Sequence, residues 1–288
     1  MNNRTEHTDL QKHHVYHAVY RLFQYASLAL VTIISVVPFL WLLSTAMKSA
    51  GENIFSLPPQ FIPAAPTFDN FVRVFNTIPM MTYYRNSIIV VAATVSLNIL
   101  LSVTAAFPLA RMNFKGKGIV FMAILSTMMI PIQLTMIPNF VFIVQLGLRN
   151  NLLAVILPNA VTAFGIFLIR QSLVSVPMSL EESAVIDGAS SRSVLFRILM
   201  PLVKPAVTAL AIFTFINMWS DFLWPLLVLE SQNLLTVPLG VQRLQGTFTN
   251  DWRLIASGAL LAVFPALLFF VFNQKHFIDG GIASAVKG

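Results

Sequence analysis

Residues 86–109 read Asn86-Ser-Ile-Ile-Val-Val-Ala-Ala-Thr-Val-Ser-Leu-Asn-Ile-Leu-Leu-Ser-Val-Thr-Ala-Ala-Phe-Pro-Leu109, without a single charge. No alternation of period two runs through them, so a barrel strand is not supported. As a helix rising about 1.5 Å per residue, the stretch crosses the roughly 30 Å of a bilayer's hydrocarbon core. Five further stretches of the same kind lie around it, at about 22–47, 118–145, 152–172, 205–229 and 254–273. The sequence therefore predicts an all-α membrane protein with six transmembrane helices, in one domain covering residues 1–288. Its long connections would be 48–85, 173–204 and a polar loop at 230–253.

Composition agrees. Of 288 residues, 57% are hydrophobic and 10% charged, whereas soluble domains carry about 25% charged residues. A water-soluble enzyme or binding module is excluded. With no cysteine, disulfides, thiolate metal sites and a cysteine nucleophile are excluded too. The first span follows a long polar tail and lacks a small-residue cleavage site, so it reads as an anchor that is kept rather than a signal peptide that is removed.

The net charge of +7 is mainly a signal of topology. With the N-terminus inside, the cytoplasmic side collects Arg4, Lys12, Arg21, Arg111, Lys115, Lys117, Arg170, Arg192, Arg197, Lys204, Lys275 and Lys287. The other side keeps Lys48, Arg73, Arg85, Arg149, Arg243 and Arg253. Both termini are expected in the cytoplasm, and nucleic acid is not expected as a partner. Loop 48–85 holds Pro58, Pro59, Pro63, Pro66 and Pro79 and reads as extended.

The connection 173–204 contains Pro177-Met-Ser-Leu-Glu-Glu-Ser-Ala-Val-Ile-Asp-Gly-Ala-Ser-Ser-Arg-Ser-Val-Leu-Phe-Arg-Ile-Leu-Met-Pro201. Ser179 and Glu182 have capping-box spacing and predict a helix start after Pro177. Gly188 predicts its end, because glycine accepts a left-handed backbone. A second helical piece would bury Val194, Leu195, Ile198 and Leu199, and Met200-Pro201 would turn the chain back to the bilayer. The first helix is expected to expose Glu181 and Glu182 and to pack Leu180 and Ala184. Such an element is either a solvated connector or a surface that docks a partner.

Glu182-Ser-Ala-Val-Ile-Asp-Gly-Ala189, with Arg197-Ile-Leu-Met-Pro201-Leu-Val-Lys-Pro205, resembles the EAA loop of binding-protein-dependent ABC importer permeases. Trp219-Ser-Asp-Phe-Leu-Trp-Pro225 and the ending Ala285-Val-Lys-Gly288 are similar to the shorter permease subunit of that family's carbohydrate (maltose-type) branch. Ser183 departs from the family's usual alanine but is still small. The resemblance implies the type I importer permease fold and a place in the cytoplasmic membrane of a bacterial-type cell. The implied partners are a second homologous permease, two ATPase subunits and an extracytoplasmic solute-binding protein. It also implies coupling through Glu182 and Gly188, within the set Glu181, Glu182, Ser183, Ala184, Asp187, Gly188, Ala189 and Pro201. Tail residues Ala285, Val286, Lys287 and Gly288 would reach the same ATPase.

No phosphate-binding loop is present. Gly116-Lys117-Gly118 lacks the hydroxyl and the earlier glycine of a Walker A turn. The chain is therefore not an enzyme and holds no cofactor, and ATP and Mg²⁺ belong to the partner ATPase. Candidates for the solute path are Gln133 and Asn139 beside Pro131 and Pro138, and Asn217 and Asp221 on the fifth span. Asp221 reads either as an acid at the interface, capping locally among belt aromatics, or as a cavity wall that accepts bonds from sugar hydroxyls. Ser102, Ala106 and Ala110 form a small-residue seam between helices. His13 and His17 sit in the tail without carboxylate support and read as no metal pair. A permease for a phosphorylated polyol remains the nearest alternative to a sugar permease. An ion-coupled secondary carrier would call for paired intramembrane charges and inverted repeats, and the sequence shows neither.

Overall fold

Inside a bilayer a backbone has no water to bond, and helices satisfy it internally. The structure, a computed structural model, describes the backbone of residues 3–246 and 251–285 and the side chains of 20–246 and 251–274. Among these residues there is no strand.

The chain opens with α1 (Asn3–Met47) and, after an irregular segment, α2 (Asp69–Thr77) and α3 (Met80–Arg111). Next come α4 (Lys117–Thr127), α5 (Ile132–Gln145), α6 (Leu153–Ile156) and α7 (Ala163–Val174). The long connection carries α8 (Ser179–Ile186), α9 (Ser191–Ser193), a π-helical stretch Val194–Leu199 and α10 (Met200–Leu202). Last are α11 (Lys204–Ser220), α12 (Leu223–Val228), α13 (Val237–Gln242) and α14 (Trp252–Ala285).

Among the described residues three helices are long and apolar enough to cross a membrane unbroken: Tyr20–Met47, Met80–Arg111 and Trp252–Gln274. Three further candidates are helix pairs bent at a short break, the last pairing a helix of the predicted connection 173–204 with the start of the predicted span 205–229. α4 and α5 meet at 98°, the α6 segment and α7 at 42°, and Ser191–Leu202 and α11 at 79°. The first break lies just before and at Pro131, a residue that has no N–H to donate and disfavours helix in its predecessor. The sequence placed Pro131 and Pro138 inside its predicted span 118–145.

Other boundaries move as well. Pro201 does not turn the chain: it lies inside the continuous helical stretch Ser191–Leu202, just after its π-helical part, and the bend falls at Val203. α8 starts at Ser179 with Met178 in the capping position and no side-chain cap, so the capping box does not form. The polar loop 230–253 holds core residues after all, since Leu235, Val237 and Leu239 are buried.

Two apolar cores form. One gathers Tyr83, Val90, Trp219, Trp224 and Leu235 at the end of the molecule where α1 finishes and α14 begins. The other gathers Val103, Ile169, Leu173, Leu199 and Leu210 at the opposite end. α3 runs through both, and between them its face is polar. The predicted small-residue seam is there: Ser102 and Ala106 are fully buried, and α7 packs along α3. Gly165 of α7 comes so close that a Cβ on it would lie 2.4 Å from Ser102 Oγ.

Candidate functional site

The polar layer between the cores is built on Asn98. Its amide donates to Thr214 Oγ1 at 3.1 Å and to Thr162 Oγ1 at 3.3 Å, and its carbonyl oxygen accepts from Ser102 Oγ at 2.9 Å. Beside this network opens a cavity of about 620 Å³, within the usual range for small-molecule sites. Asn98, Asn159, Thr162, Thr214, Asn217 and Asp221 give it amides, hydroxyls and one carboxylate. Ile132, Phe164, Leu210, Phe213 and Met218 supply the apolar wall, with Phe164 and Phe213 edge to face at 5.5 Å between centroids.

Helix breaks surround this cavity. Ile132 is the first residue of α5 after the 98° bend, Thr162 caps α7 by accepting from Gly165 N at 3.0 Å, and Asp221 stands between α11 and α12. Irregular backbone at membrane depth is tolerated where it lines a cavity, and there its free groups face a solute.

Asp221 bonds locally and also lines the cavity. Its carboxylate accepts from Trp224 N at 3.4 Å, capping α12, and it lines the cavity one turn beyond Asn217. The neighbouring tryptophans are not belt aromatics. Trp219 and Trp224 are buried and donate their indole N–H to Ala262 O and Ala154 O. Gln133 and Asn139 are exposed on α5 and do not line the cavity. The sequence reading missed Asn98, Asn159, Thr162 and Thr214. A signal was available: Asn98 with Ser102, and Thr214 with Asn217 and Asp221, recur at helical spacing within otherwise apolar runs.

At the far end of α3 the loop 175–190 is fixed to the bundle. Arg111 donates to Val176 O at 2.8 Å and forms an ion pair with Glu181. Glu181 is thereby buried, contrary to the sequence reading, while Leu180 is 44% exposed. The cations counted for topology also bind carbonyls. Lys117 Nζ donates to Ala110 O and Met112 O, and Arg170 Nε to Leu109 O.

α8 ends as the glycine predicts. Gly188 has φ +82°, its N–H donates to Val185 O at 3.0 Å, and Ala189 N donates to Ala184 O at 2.9 Å, which is a Schellman cap. Ser183 Oγ donates to Ser179 O at 2.8 Å, so the departure from alanine leaves no unsatisfied hydroxyl. Ala184 and Ala189 pack on the lower core. Glu182, Ser183, Asp187 and Pro201 are exposed, and so are Val185 and Ile186, the latter at 85%. Of the tail, Ala285 is the last residue of α14, and Val286, Lys287 and Gly288 lie outside the described residues.

Residues 98–277 match the family of binding-protein-dependent transport system inner membrane components. The chain belongs to that family. Arabinooligosaccharides transport system permease protein AraQ of Bacillus subtilis is 33% identical to this permease over 279 residues, covering 96% of this chain and 99% of that protein. Sulfoquinovosyl glycerol transport system permease protein SmoH of Agrobacterium fabrum is 31% identical, over 91% of this chain and 92% of that one. Lactose transport system permease protein LacG of Rhizobium radiobacter is 29% identical, over 91% and 95%. In the crystal structure of a bacterial ABC transporter for the acidic polysaccharide alginate, one chain superposes with a TM-score of 0.83 at 21% identity, over 90% of this chain and 97% of that one. This permease therefore has the type I ABC importer permease fold, is integral to the membrane, and is a transport subunit rather than an enzyme.

Proposed function

We propose that this chain is one of two permease subunits of an ATP-driven importer of neutral oligosaccharides or sugar derivatives in a bacterial-type cytoplasmic membrane. Both termini lie in the cytoplasm. α8 and the segment after it dock on a separate ATPase that binds ATP and Mg²⁺. A solute-binding protein delivers solute to the opposite end, and the second permease closes the other half of the path. Closure of the ATPase pair moves residues 178–199 as a rigid body and rocks the two permeases between inward-facing and outward-facing states.

The observation that carries this reading is the cavity itself. Amides and hydroxyls exchange hydrogen bonds with sugar hydroxyls, and the Phe164 and Phe213 faces suit the C–H faces of a sugar ring. Among the residues lining it, one is a carboxylate and none is Lys or Arg. A phosphate-bearing solute would need a cation at that depth. The docking assignment is supported by the exposed acid and apolar surface of α8, Glu182 with Val185 and Ile186, on a helix held by a buried ion pair.

The test is ATPase activity of the reconstituted complex with its binding protein, across neutral saccharides, uronate oligosaccharides and phosphorylated polyols. Stimulation by neutral sugars is expected. Stimulation by phosphorylated polyols alone would keep the importer and overturn the solute class. Silence toward every solute in an intact complex would overturn the coupling.

A further inference from the structure

Every hydrogen-bonding valence of Asn98 is filled from inside the protein. A primary amide has two N–H donors and one oxygen with two lone pairs. Here one N–H donates to Thr214 Oγ1 at 3.1 Å and the other to Thr162 Oγ1 at 3.3 Å. The oxygen accepts from Ser102 Oγ at 2.9 Å and from Thr162 Oγ1 at 3.4 Å. Asn98 lines the cavity but is 1% exposed, and nothing on it is left for a solute. Thr162 is nearly as full. Its oxygen also accepts from Gly165 N at 3.0 Å, and its proton has Asn98 Oδ1.

Thr214 is different. Its oxygen accepts from Asn98, and among the described residues its proton has no acceptor. A threonine inside a helix can donate to the carbonyl three or four residues earlier. Thr32, Thr77 and Thr104 do so, at 2.8, 2.7 and 2.8 Å. Thr214, in the interior of α11, makes no such bond and lines the cavity instead. The polar layer therefore has one direction. Ser102 donates to Asn98, Asn98 donates to Thr214, and Thr214 keeps a proton for whatever fills the cavity. Donors in series polarise one another. On the same wall the Asp221 carboxylate can only accept. A hydroxyl-bearing solute meets both demands, with an oxygen toward Thr214 and a proton toward Asp221.

We infer that Thr214 contacts the solute and selects an acceptor oxygen on it, and that Asn98 is the positioning residue that makes Thr214 a donor. Asn98 acts through Thr214 and does not touch the solute. The assignment rests on the cavity being the path of a neutral sugar, but the bonds behind it all close within this chain.

Four variants test it. Thr214→Val keeps the shape and removes the proton, and Thr214→Ser keeps the proton. Asn98→Leu frees Thr214 to bond Leu210 O of its own helix, and the fourth variant combines Asn98→Leu with Thr214→Val. Each chain is assembled with its partner permease, ATPase and binding protein in lipid vesicles. Uptake of lactose, maltotriose and arabinotriose per assembled complex is measured at saturating binding protein, beside the thermal midpoint in detergent. Thr214→Val and Asn98→Leu are each expected to lower uptake roughly five- to tenfold, the worth of one hydrogen bond. The double variant is expected to lower it no further, and Thr214→Ser to stay close to the parent. Uptake by Thr214→Val at the parent rate would overturn the contact, and this holds even where Asn98→Leu does not assemble. Losses that multiply in the double variant, following the thermal midpoint, would reduce Asn98 to packing and overturn its positioning role. An intact parent complex that takes up none of the three sugars would overturn the neutral-sugar reading before any variant is compared, and the assignment with it.

Discussion

Arg111, in the last turn of α3, is ion-paired with Glu181 in the first turn of α8, and the two side chains are 6% and 11% exposed. The same helix places Asn98 in the cavity wall, thirteen residues or about 20 Å away. α3 is thus one unbroken helix with one end at the proposed ATPase docking surface and its middle at the proposed solute cavity. The low dielectric around the pair makes it costly to break from one side. Arg111→Met alone, or Glu181→Leu alone, is expected to destabilise the complex by about 3–5 kcal/mol. The double variant, with no charge left unpaired, is expected to recover most of that. Denaturation midpoints in detergent measure the cycle. If the double variant regains stability but hydrolyses ATP without transport, the pair couples the two sites; full transport by the double variant would reduce it to packing.

Gly188 tests the docking loop separately. Nothing lies within 4 Å of a Cβ built there, so a substitution meets only backbone strain at φ +82°. That strain is roughly 1–2 kcal/mol for a residue with a Cβ. Gly188→Val is expected to abolish uptake while membrane insertion persists, and Gly188→Asn, which tolerates the left-handed region, is expected to keep part of it. Glu182→Ala, on the exposed face, is expected to weaken ATPase retention during purification without a change in folding. Uptake by Gly188→Val at the normal rate would contradict the coupling role.

At Gly165 the limit is space. A Cβ would meet Ser102 Oγ at 2.4 Å, with Asn98 Oδ1 and Thr162 Oγ1 at 3.0 Å. Gly165→Ala therefore separates α3 from α7 and disturbs the Asn98 network, at an expected cost of about 1–3 kcal/mol. Adding Ser102→Gly removes the nearest atom and is expected to return part of the loss, a non-additivity that contact between the two sites requires. Thermal stability of the four chains in detergent reads it.

The spans, their apolar faces and the glycine stop at 188 were legible because they follow from local chemistry: absence of charge over bilayer length, and a backbone region that glycine reaches. The cavity was only half legible. Asn217, in the last turn of α11, and Asp221, just past its end, are neighbours in sequence, so spacing alone brought them together, whereas Asn98, Asn159 and Thr162 join them only through packing between helices far apart in sequence. Gln133 is not among the lining residues: after the 98° bend before Ile132, Ile132 lines the cavity and Gln133 is exposed. Glu181 looked like a solvated acid because its partner is seventy residues earlier.

Asp221 is expected to decide which solutes the cavity accepts. As the one carboxylate among the lining residues, it disfavours any sugar acid brought to the same depth, since like charges in a low dielectric repel strongly. Asp221→Asn keeps an oxygen to accept from Trp224 N and removes the charge. The variant is expected to retain stimulation by neutral oligosaccharides within a few-fold and to raise stimulation by uronate oligosaccharides relative to them. An unchanged ratio would move selectivity to the partner permease or the binding protein.

Glu52 gives the loop between α1 and α2 a defined dependence on pH, because its carboxylate accepts from Ala64 N at 2.9 Å and Ala65 N at 3.2 Å and closes residues 52–64 into a hook. The backbone N–H of Ala64, with those of Ser49 and Ala65, holds its carboxyl down from the ordinary 4.5 to about 2. A group whose folded pKa is depressed contributes stability above its unfolded pKa, and that contribution is lost as pH falls from there through the folded value. The clamp is therefore constant at neutral pH, begins to weaken near 4.5 and is gone below about 2. Hydrogen exchange at the Ala64 and Ala65 amides, read by mass spectrometry, is expected to stay slow down to about pH 5 and to rise, beyond the intrinsic pH dependence of exchange, as the carboxylate is neutralised. Glu52→Gln is expected to exchange fast at those amides at neutral pH and to show no further acid step. Slow exchange in that variant would mean that Arg253, which bonds Ala50 O and Glu52 O, and the ring contacts of Phe55 with Trp252 and Phe61 with Trp41 hold the hook without the carboxylate.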